Sequence, residues 1–252
     1  ILKMHKLYDF IEARERLTTV VVKTKLMHSP VFSEESGNEI YLKPENLQKT
    51  GSFKIRGAYN KIAKLTEEEK KKGVIASSAG NHAQGVAYAA KRLGIKAVIV
   101  MPKHTPLIKV EATRKYGAEV VLYGEVYDDA YKKALELQKE NGYVFVHPFN
   151  DEDVIEGQGT IALEILDELP DADIILVPLG GGGLVSGIAS AAKLKNPQVK
   201  VIGVEPEGAA SAIAALEKGK VVELAEANTI ADGTAVKRIG EKNFEYIKKY
   251  VD

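Results

Sequence analysis

From about Val74 onward, short apolar runs rich in β-branched residues alternate with amphipathic stretches of helical length. Parallel strands need crossover connections of this length, because tight turns join only antiparallel neighbours. Several of the runs are almost continuously apolar, which indicates strands that are buried on both faces. The alternation therefore predicts an α/β fold of open, mostly parallel twisted sheets covered by helices, with ligands bound at the carboxyl ends of the strands.

The individual elements follow from the same pattern. Strands are expected at residues 74–76, 97–101, 119–123, 143–146, 174–177 and 199–204. Helices are expected at residues 83–93, 107–116, 127–140, 160–169, 185–195 and 209–217. A short strand is expected at 39–43, and the charged run 67–72 is interpreted as a solvated helix end that marks a seam between subdomains.

The composition narrows the class of protein. The chain has 252 residues, 45% of them hydrophobic, which is enough for one large domain or two small ones. Its 35 basic and 35 acidic residues balance, so the expected partner is a small molecule or another protein rather than a nucleic acid or an anionic membrane. The absence of cysteine excludes disulfides, thiolate metal sites and a cysteine nucleophile. We find no signal peptide or membrane span and expect a soluble, cytoplasmic protein.

The first segment that carries chemistry is residues 49–58, which reads Lys-Thr-Gly-Ser-Phe-Lys-Ile-Arg-Gly-Ala. Gly51 and Ser52 indicate a turn and an N-cap before a helix that starts near Phe53, so Lys54 falls in the first helical turn. The positive end of the helix dipole, together with partial burial, favours the neutral amine that condenses with an aldehyde. Taken alone, the position also fits a plain surface lysine, since most lysines are exposed.

The second segment, residues 77–85, reads Ser-Ser-Ala-Gly-Asn-His-Ala-Gln-Gly and connects a strand to an alanine-rich helix. First-turn amides, the Ser78 hydroxyl and the Asn81 side chain could converge on a carboxylate or a phosphate. By itself the segment is equally compatible with an ordinary helix cap that contains a hydrogen-bonded histidine.

The third segment is the run Gly180-Gly181-Gly182-Gly183-Leu184, between a predicted strand and a predicted helix. Four consecutive glycines lose much backbone entropy on folding, which indicates a close approach or an unusual backbone angle. A cradle of amides for one phosphate fits best, because the dinucleotide and P-loop spacings are both absent. A flexible turn is the alternative. An aldehyde-reactive lysine, an anion loop and a phosphate cradle are together what a pyridoxal-phosphate enzyme requires.

These segments, with Gly157-Gln158-Gly159-Thr160, resemble in order and spacing the motifs of fold type II pyridoxal-phosphate enzymes of the threonine dehydratase and serine racemase branch. The resemblance runs from about residue 5 to the end. It implies a fold like that of the tryptophan synthase β-subunit, with a large cofactor domain at residues 1–66 and 147–252 and a small substrate-side domain at 67–146. It also implies a homo-oligomer, either a dimer or a tetramer, that acts on a small amino acid.

The resemblance implies a role for each matching residue. Lys54 would carry the cofactor as a Schiff base and move the proton of the substrate α-carbon, with Phe53 against one face of the cofactor ring. Asn81 would hydrogen-bond the ring hydroxyl, and Ser78, Asn81 and His82 would hold the substrate carboxylate. The phosphate would lie on the amides of Gly180, Gly181, Gly182, Gly183 and Leu184, while Gly233, in the motif Ala231-Asp232-Gly233-Thr234, would line the cofactor.

The departures from the pattern decide the expected reaction. Racemases of this branch are similar but place a second serine, the acid on the opposite face of the ring, where this chain has Ala79. With only Lys54 to move the proton, β-elimination is favoured, and the expected activity is a threonine/serine ammonia-lyase; a racemase is the alternative. Glu205 matches one acid of the racemase metal site, but the later acid is Ser211 here, so we expect no metal.

Family members continue beyond the position of Asp252 with strands that complete the large domain and with a side chain that bonds the pyridine nitrogen. We therefore expect an incomplete large domain in this chain, and a non-catalytic scaffold that retains the phosphate cradle is a further alternative.

Overall fold

The computed structural model describes residues 3–252. Its α-helices lie at Leu7–Leu17 (α1), Pro30–Ser36 (α2), Lys54–Ala63 (α3), Glu67–Lys72 (α4), Asn81–Leu93 (α5), Leu107–Lys115 (α6), Tyr127–Asn141 (α7), Glu152–Glu168 (α8), Gly183–Lys195 (α9), Ser211–Lys218 (α10) and Glu241–Tyr250 (α11). Its strands lie at Met27–His28 (β1), Tyr41–Leu42 (β2), Val74–Ser77 (β3), Ala97–Met101 (β4), Glu119–Leu122 (β5), Val144–Phe145 (β6), Ile174–Pro178 (β7) and Lys200–Val204 (β8). Among the described residues, no helix is both long and apolar enough to cross a bilayer.

The strands form two parallel sheets and one short antiparallel ribbon. The larger sheet has the order β5-β4-β3-β6, the second pairs β7 with β8, and β1 pairs antiparallel with β2. In the larger sheet Ser77 lies opposite Val100, so the chain leaves β3 at the same edge at which β4 ends. The predicted fold class, parallel sheets covered by helices, is confirmed, and this shared edge is where the loops meet.

Helix α8 is buried from Val154 to Leu166, and glycines let its neighbours approach closely. A Cβ atom at Gly157 would lie 2.5 Å from the carbonyl oxygen of Arg56 in α3. On another side, a Cβ atom at Gly187 of α9 would lie 2.6 Å from the main-chain nitrogen of Gly159. Real side chains do not tolerate such contacts, so the Gly-Gln-Gly-Thr motif is needed for backbone-to-backbone packing of α3, α8 and α9.

The predicted start of α8 was wrong by eight residues. The helix begins at Glu152 rather than at Thr160, because the Asp151 carboxylate caps it by accepting hydrogen bonds from Asp153 and Val154. Glycine has a low intrinsic helix propensity. At Gly157 and Gly159, however, the stabilisation from close packing exceeds the loss of backbone entropy.

Burial of the strands follows the prediction in one sheet only. Strands β3 and β4 are buried along their whole length. In β7 and β8 the outward residues Ile174, Leu176 and Val204 are exposed, so the expected burial of these strands on both faces is wrong for the described residues. The division into domains at residues 67 and 146 stays a prediction; the strands β3 to β6 lie between those bounds.

Candidate active site

Lys54 is the first residue of α3, with Phe53 as the N-cap, and its main-chain N–H donates to the Ser52 hydroxyl at 3.3 Å. Its Nζ atom donates to the carbonyl oxygen of Pro148 at 2.9 Å and lies 5.3 Å from the centroid of the Phe53 ring. Burial lowers the pKa of Lys54 to about 8. A substantial fraction of this amine is therefore neutral, and hence nucleophilic, close to neutral pH.

The glycine loop presents main-chain amides that lack acceptors. It leaves β7 and enters α9 at Gly183, and in the described part of the chain the amides of residues 180–185 donate to no main-chain or side-chain oxygen. Gly181 and Gly182 are nevertheless buried. Buried amides without partners are costly, and a row of them at the positive end of a helix is a seat for an anion such as a phosphate.

The packing around this loop explains why its residues are glycines. A Cβ atom at Gly181 would lie 2.2 Å from the Phe149 ring, and one at Gly183 would lie 2.8 Å from the Phe149 Cβ atom. Gly182 has a φ of 99°, in the left-handed region that glycine adopts without strain. The loop is therefore held in one shape between Phe149 and its own helix, as a preformed cradle requires.

The loop between β3 and α5 offers a second set of donors. The Ser78 hydroxyl accepts hydrogen bonds from the amides of Gly80 and Ala83, at 3.2 and 3.3 Å. The amides of Asn81 and His82 have no acceptor among the described residues, and the Asn81 side chain is exposed. These two free amides in the first turn of α5 suit a carboxylate.

The ring of His82 is directed away from those donors. Its Nε2 atom lies 2.7 Å from the carbonyl oxygen of Val146, which can only accept, so Nε2 carries the proton. Burial, and then the charge of Lys54, lowers the pKa of His82 to about 3. The ring is therefore neutral, and its Nε2–H is already bonded to Val146. Only the main-chain N–H of His82 is left to contact a carboxylate.

All nine predicted cofactor residues line one cavity of about 350 Å³. Its lining includes Phe53, Lys54, Asn81, Gly180, Gly181, Gly182, Gly183, Leu184 and Gly233. A cavity of this size suits a small ligand. An amine, an aromatic side chain and a row of unpaired amides fit an aromatic aldehyde that carries a phosphate ester.

A second cavity, of about 860 Å³, adjoins the first. It is lined by Ser78, Ala79 and Tyr127 and shares Lys54 and Gly233, among others, with the first cavity. Lys54 therefore lies where a space beside the glycine loop meets a space beside the β3–α5 loop.

The loop at residues 147–150 also contributes to the site, although it was not predicted from the sequence. The His147 Nδ1 atom accepts hydrogen bonds from the amides of Phe149 and Asn150, at 3.2 and 2.8 Å, and the Asn150 side chain accepts from the Lys242 amide at 3.0 Å. Burial lowers the pKa of His147 to about 4. The available signal was its position directly after β6, at the same sheet edge as Ser78.

Glu205, the weak metal candidate, lies elsewhere and caps α10. Its carboxylate accepts hydrogen bonds from the amides of Ala212 and Ile213, at 2.7 and 3.1 Å. Within residues 3–252, no three His, Cys, Asp or Glu side chains converge on a point where a metal ion could be held.

Comparison with known proteins shows the family to which this chain belongs. The family model described as pyridoxal-phosphate dependent enzyme matches residues 17–252. An L-threonine ammonia-lyase of Thermotoga maritima is 58% identical over 249 residues, which cover 99% of this chain and 62% of that protein. The chain spans about three fifths of the length of the first curated relatives it matches.

Solved structures of similar proteins have the same fold over nearly the whole of this chain. The processed form of threonine deaminase isoform 2 from Solanum lycopersicum superposes with a TM-score of 0.94 at 42% identity, covering 100% of this chain and 76% of that one. A maize serine racemase superposes with a TM-score of 0.95 at 38% identity, covering 99% and 76%.

Proposed function

Because this chain belongs to the family of pyridoxal-phosphate-dependent enzymes, we propose that it is the catalytic part of an L-threonine ammonia-lyase. The proposed reaction converts L-threonine to 2-oxobutanoate and ammonia, and L-serine to pyruvate and ammonia. One observation carries this proposal: the amine of Lys54 and the unpaired amides of the glycine loop line the same cavity. The threonine ammonia-lyase and threonine deaminase among its relatives support it.

We propose that the cofactor is held by the residues that line the first cavity. The amides of residues 180–184 would bind the phosphate, and Phe53 would lie against the ring. Asn81 would hydrogen-bond the ring hydroxyl, with Gly233 on the cavity wall. Bound pyridoxal phosphate supplies an electron sink that stabilises negative charge at the substrate α-carbon.

The substrate would lie where the two cavities meet at Lys54, since Asn81 lines the first cavity and Ser78 the second. Its carboxylate would lie on the Ser78 hydroxyl and on the free first-turn amides of Asn81 and His82, which places the α-carbon near Lys54. The neutral Lys54 amine would take the α-proton, and the same proton is then available at Nζ for the departing β-hydroxyl. Because burial lowers the pKa of Lys54 to about 8, the amine gives up its proton more readily near neutral pH than an ordinary lysine, and its neutral form can act as a base.

The first experiment tests both the reaction and the residue. With pyridoxal phosphate added, the chain should release 2-oxobutanoate from L-threonine, and Lys54→Ala should release none. Lys71→Ala, which removes an exposed lysine of α4, is the control and should match the unchanged chain. Full elimination by the Lys54→Ala protein would refute the assignment.

Serine racemase activity is the second candidate, favoured by the fold it shares with the maize racemase. Ala79 lines the second cavity at the position where racemases of this branch carry a serine, so an acid for the opposite face of the ring is missing there. We propose that elimination dominates. Chiral chromatography after incubation with L-serine separates the two, since D-serine in excess of pyruvate would reverse this order.

We also propose that the protein is a cytoplasmic homo-oligomer, a dimer or a tetramer. Supporting it, apolar side chains near the antiparallel ribbon are exposed, among them Val31 at 63%, Phe32 at 52% and Leu47 at 60%. Exposed apolar side chains are typical of interfaces where they form a contiguous patch. Sedimentation equilibrium measures the mass, and a monomer at all concentrations would contradict the proposal.

A further inference from the structure

The carbonyl group that holds the Lys54 amine belongs to a turn built around one histidine. Pro148 accepts the hydrogen bond from Lys54 Nζ at 2.9 Å. The residues on both sides of Pro148 are linked directly, because His147 Nδ1 accepts from the amides of Phe149 and Asn150. The position of the carbonyl therefore depends on a ring nitrogen that is free to accept.

These two hydrogen bonds fix the protonation of the ring. A nitrogen that accepts from two amides carries no proton, so in the neutral ring the proton lies on Nε2. The charged groups that face His147 are Lys54 of α3 and Asp151 at the start of α8, and its charge in turn affects His82 of α5. Burial and the Lys54 charge oppose protonation of His147, whereas Asp151 favours it, and the balance keeps the ring neutral.

The same turn supports the glycine loop. The Phe149 ring packs where a Cβ atom of Gly181 would lie, and it meets the His147 ring edge-to-face at 4.7 Å between centroids. The Phe149 carbonyl accepts from the Asn243 side chain at 3.0 Å. One turn thus contacts both the amine and the cradle, which lie on different helices.

We infer that His147 is a positioning residue for Lys54, acting as a neutral ring whose Nδ1 atom holds the turn that presents the Pro148 carbonyl to the amine. This role rests on the proposed function and adds to it a residue that does not touch the reacting atoms. Disturbing the turn lets water reach Lys54, and because burial is what lowers the pKa of that amine, its pKa then rises.

A pair of substitutions separates this role from simple packing. The Oδ1 atom of asparagine can take the place of Nδ1, whereas glutamine places its polar group at the position of Nε2. The measured quantity is the rate of acetylation of Lys54, followed by mass spectrometry over a pH series in the chain without added cofactor. In His147→Gln the pKa from this profile should rise by about one unit, which lowers the labelling rate at pH 8 roughly fivefold. His147→Asn should keep the unchanged profile.

Two outcomes overturn the inference: an unchanged Lys54 profile in His147→Gln, or an equal change in both variants. Should His147→Gln not fold, ¹⁵N spectra of the unchanged protein decide, because the inference requires the proton on Nε2 and a ring protonated on Nδ1 contradicts it. Neither measurement depends on turnover. Failure of this inference is therefore distinguishable from failure of the proposed function, which is tested by release of 2-oxobutanoate.

Discussion

The Nζ atom of Lys54 and the carbonyl oxygen of Pro148 lie 2.9 Å apart, although 94 positions separate the two residues in the chain. The partner of the amine is thus a neutral carbonyl group, and burial sets its pKa to about 8. A lysine in a carboxylate pair would be held in the charged form instead.

Capture of the cofactor should follow the titration of this amine. Because only the neutral amine attacks an aldehyde, the rate of pyridoxal phosphate attachment should rise with pH and reach half its maximum near pH 8. Stopped-flow absorbance measures this rate. Lys54→Arg, which stays protonated, is the matched control and should show no attachment. A midpoint near the ordinary lysine value of 10.5 would contradict the buried environment.

Substitution of Gly181 should damage the cradle through Phe149. Gly181→Ala places a methyl group 2.2 Å from the Phe149 ring, and such overpacking costs about 1–3 kcal/mol. The temperature of thermal unfolding and the affinity for pyridoxal phosphate should both fall. In the double variant Gly181→Ala/Phe149→Leu, the stability loss should be smaller than the sum of the two single losses. Strict additivity would show that the clash is not the cause.

Arg56 should be among the most destabilising residues to replace. It is fully buried and pairs with Glu164 and Glu45, the latter at 2.6 Å. Burial opposes the charge of Glu164, but Arg56 and Lys43 hold the pKa of this carboxyl below its usual value. Arg56→Met removes the buried cation that both carboxylates share, leaving Lys43 to pair with Glu164, and should cost about 3–5 kcal/mol in urea unfolding.

The matched control for this cluster is a double variant. Adding Glu164→Gln to Arg56→Met removes one of the two carboxylate charges that have lost Arg56 as a partner, and it should recover part of the lost stability. A double variant that is less stable than Arg56→Met would show that the charge of Glu164 is not what destabilises the single variant.

Glu152 should contribute to stability in a pH-dependent way. Burial acts to raise the pKa of Glu152, but the His5 ring 3.3 Å away, together with hydrogen bonds from the Tyr246 hydroxyl and the Lys3 amide, lowers it to about 2. Because the folded-state pKa is depressed from 4.5, this contribution is complete above about pH 4.5 and is lost as the pH falls towards 2.

Tyr246→Phe removes the Tyr246 hydroxyl, which donates to Glu152 at 2.6 Å and also lies 3.1 Å from the Lys3 carbonyl oxygen. The variant should lose on the order of 1 kcal/mol in urea unfolding at neutral pH, and less near pH 2. Equal losses at both pH values would assign the effect to packing rather than to the charge of Glu152.

The parts of the fold that depend on local pattern could be predicted from the sequence. The bounds of β4 match the expected 97–101, and α7 is one residue longer than expected. The start of α8 could not be predicted, because the benefit of Gly157 comes from a backbone that is distant in sequence. Local propensity carries no information on such a contact.

The candidate site, like the fold, has parts that residue types predict and parts that depend on contacts between distant segments. The segments at 49–58, 77–85 and 180–184 were identified from residue types, and the structure brings them together around adjoining cavities. The burial that lowers the pKa of Lys54 and the hydrogen bond that occupies the His82 ring both depend on residues after β6. His147 gave no signal by composition, since its role comes from a ring nitrogen that accepts from the two residues beyond Pro148.

The close contacts that glycines allow between α8 and its neighbours α3 and α9 also limit how far the parts of the site can move relative to one another. The helix that carries Lys54 contacts α8 at Gly157, and α9, which follows the glycine loop, contacts α8 at Gly159 and Gly187. Both contacts are between main chains, which have no rotamers to change. The distance between the Lys54 Cα atom and the glycine loop is therefore nearly fixed, and thermal motion at the site is left to the side chains, above all to that of Lys54 itself.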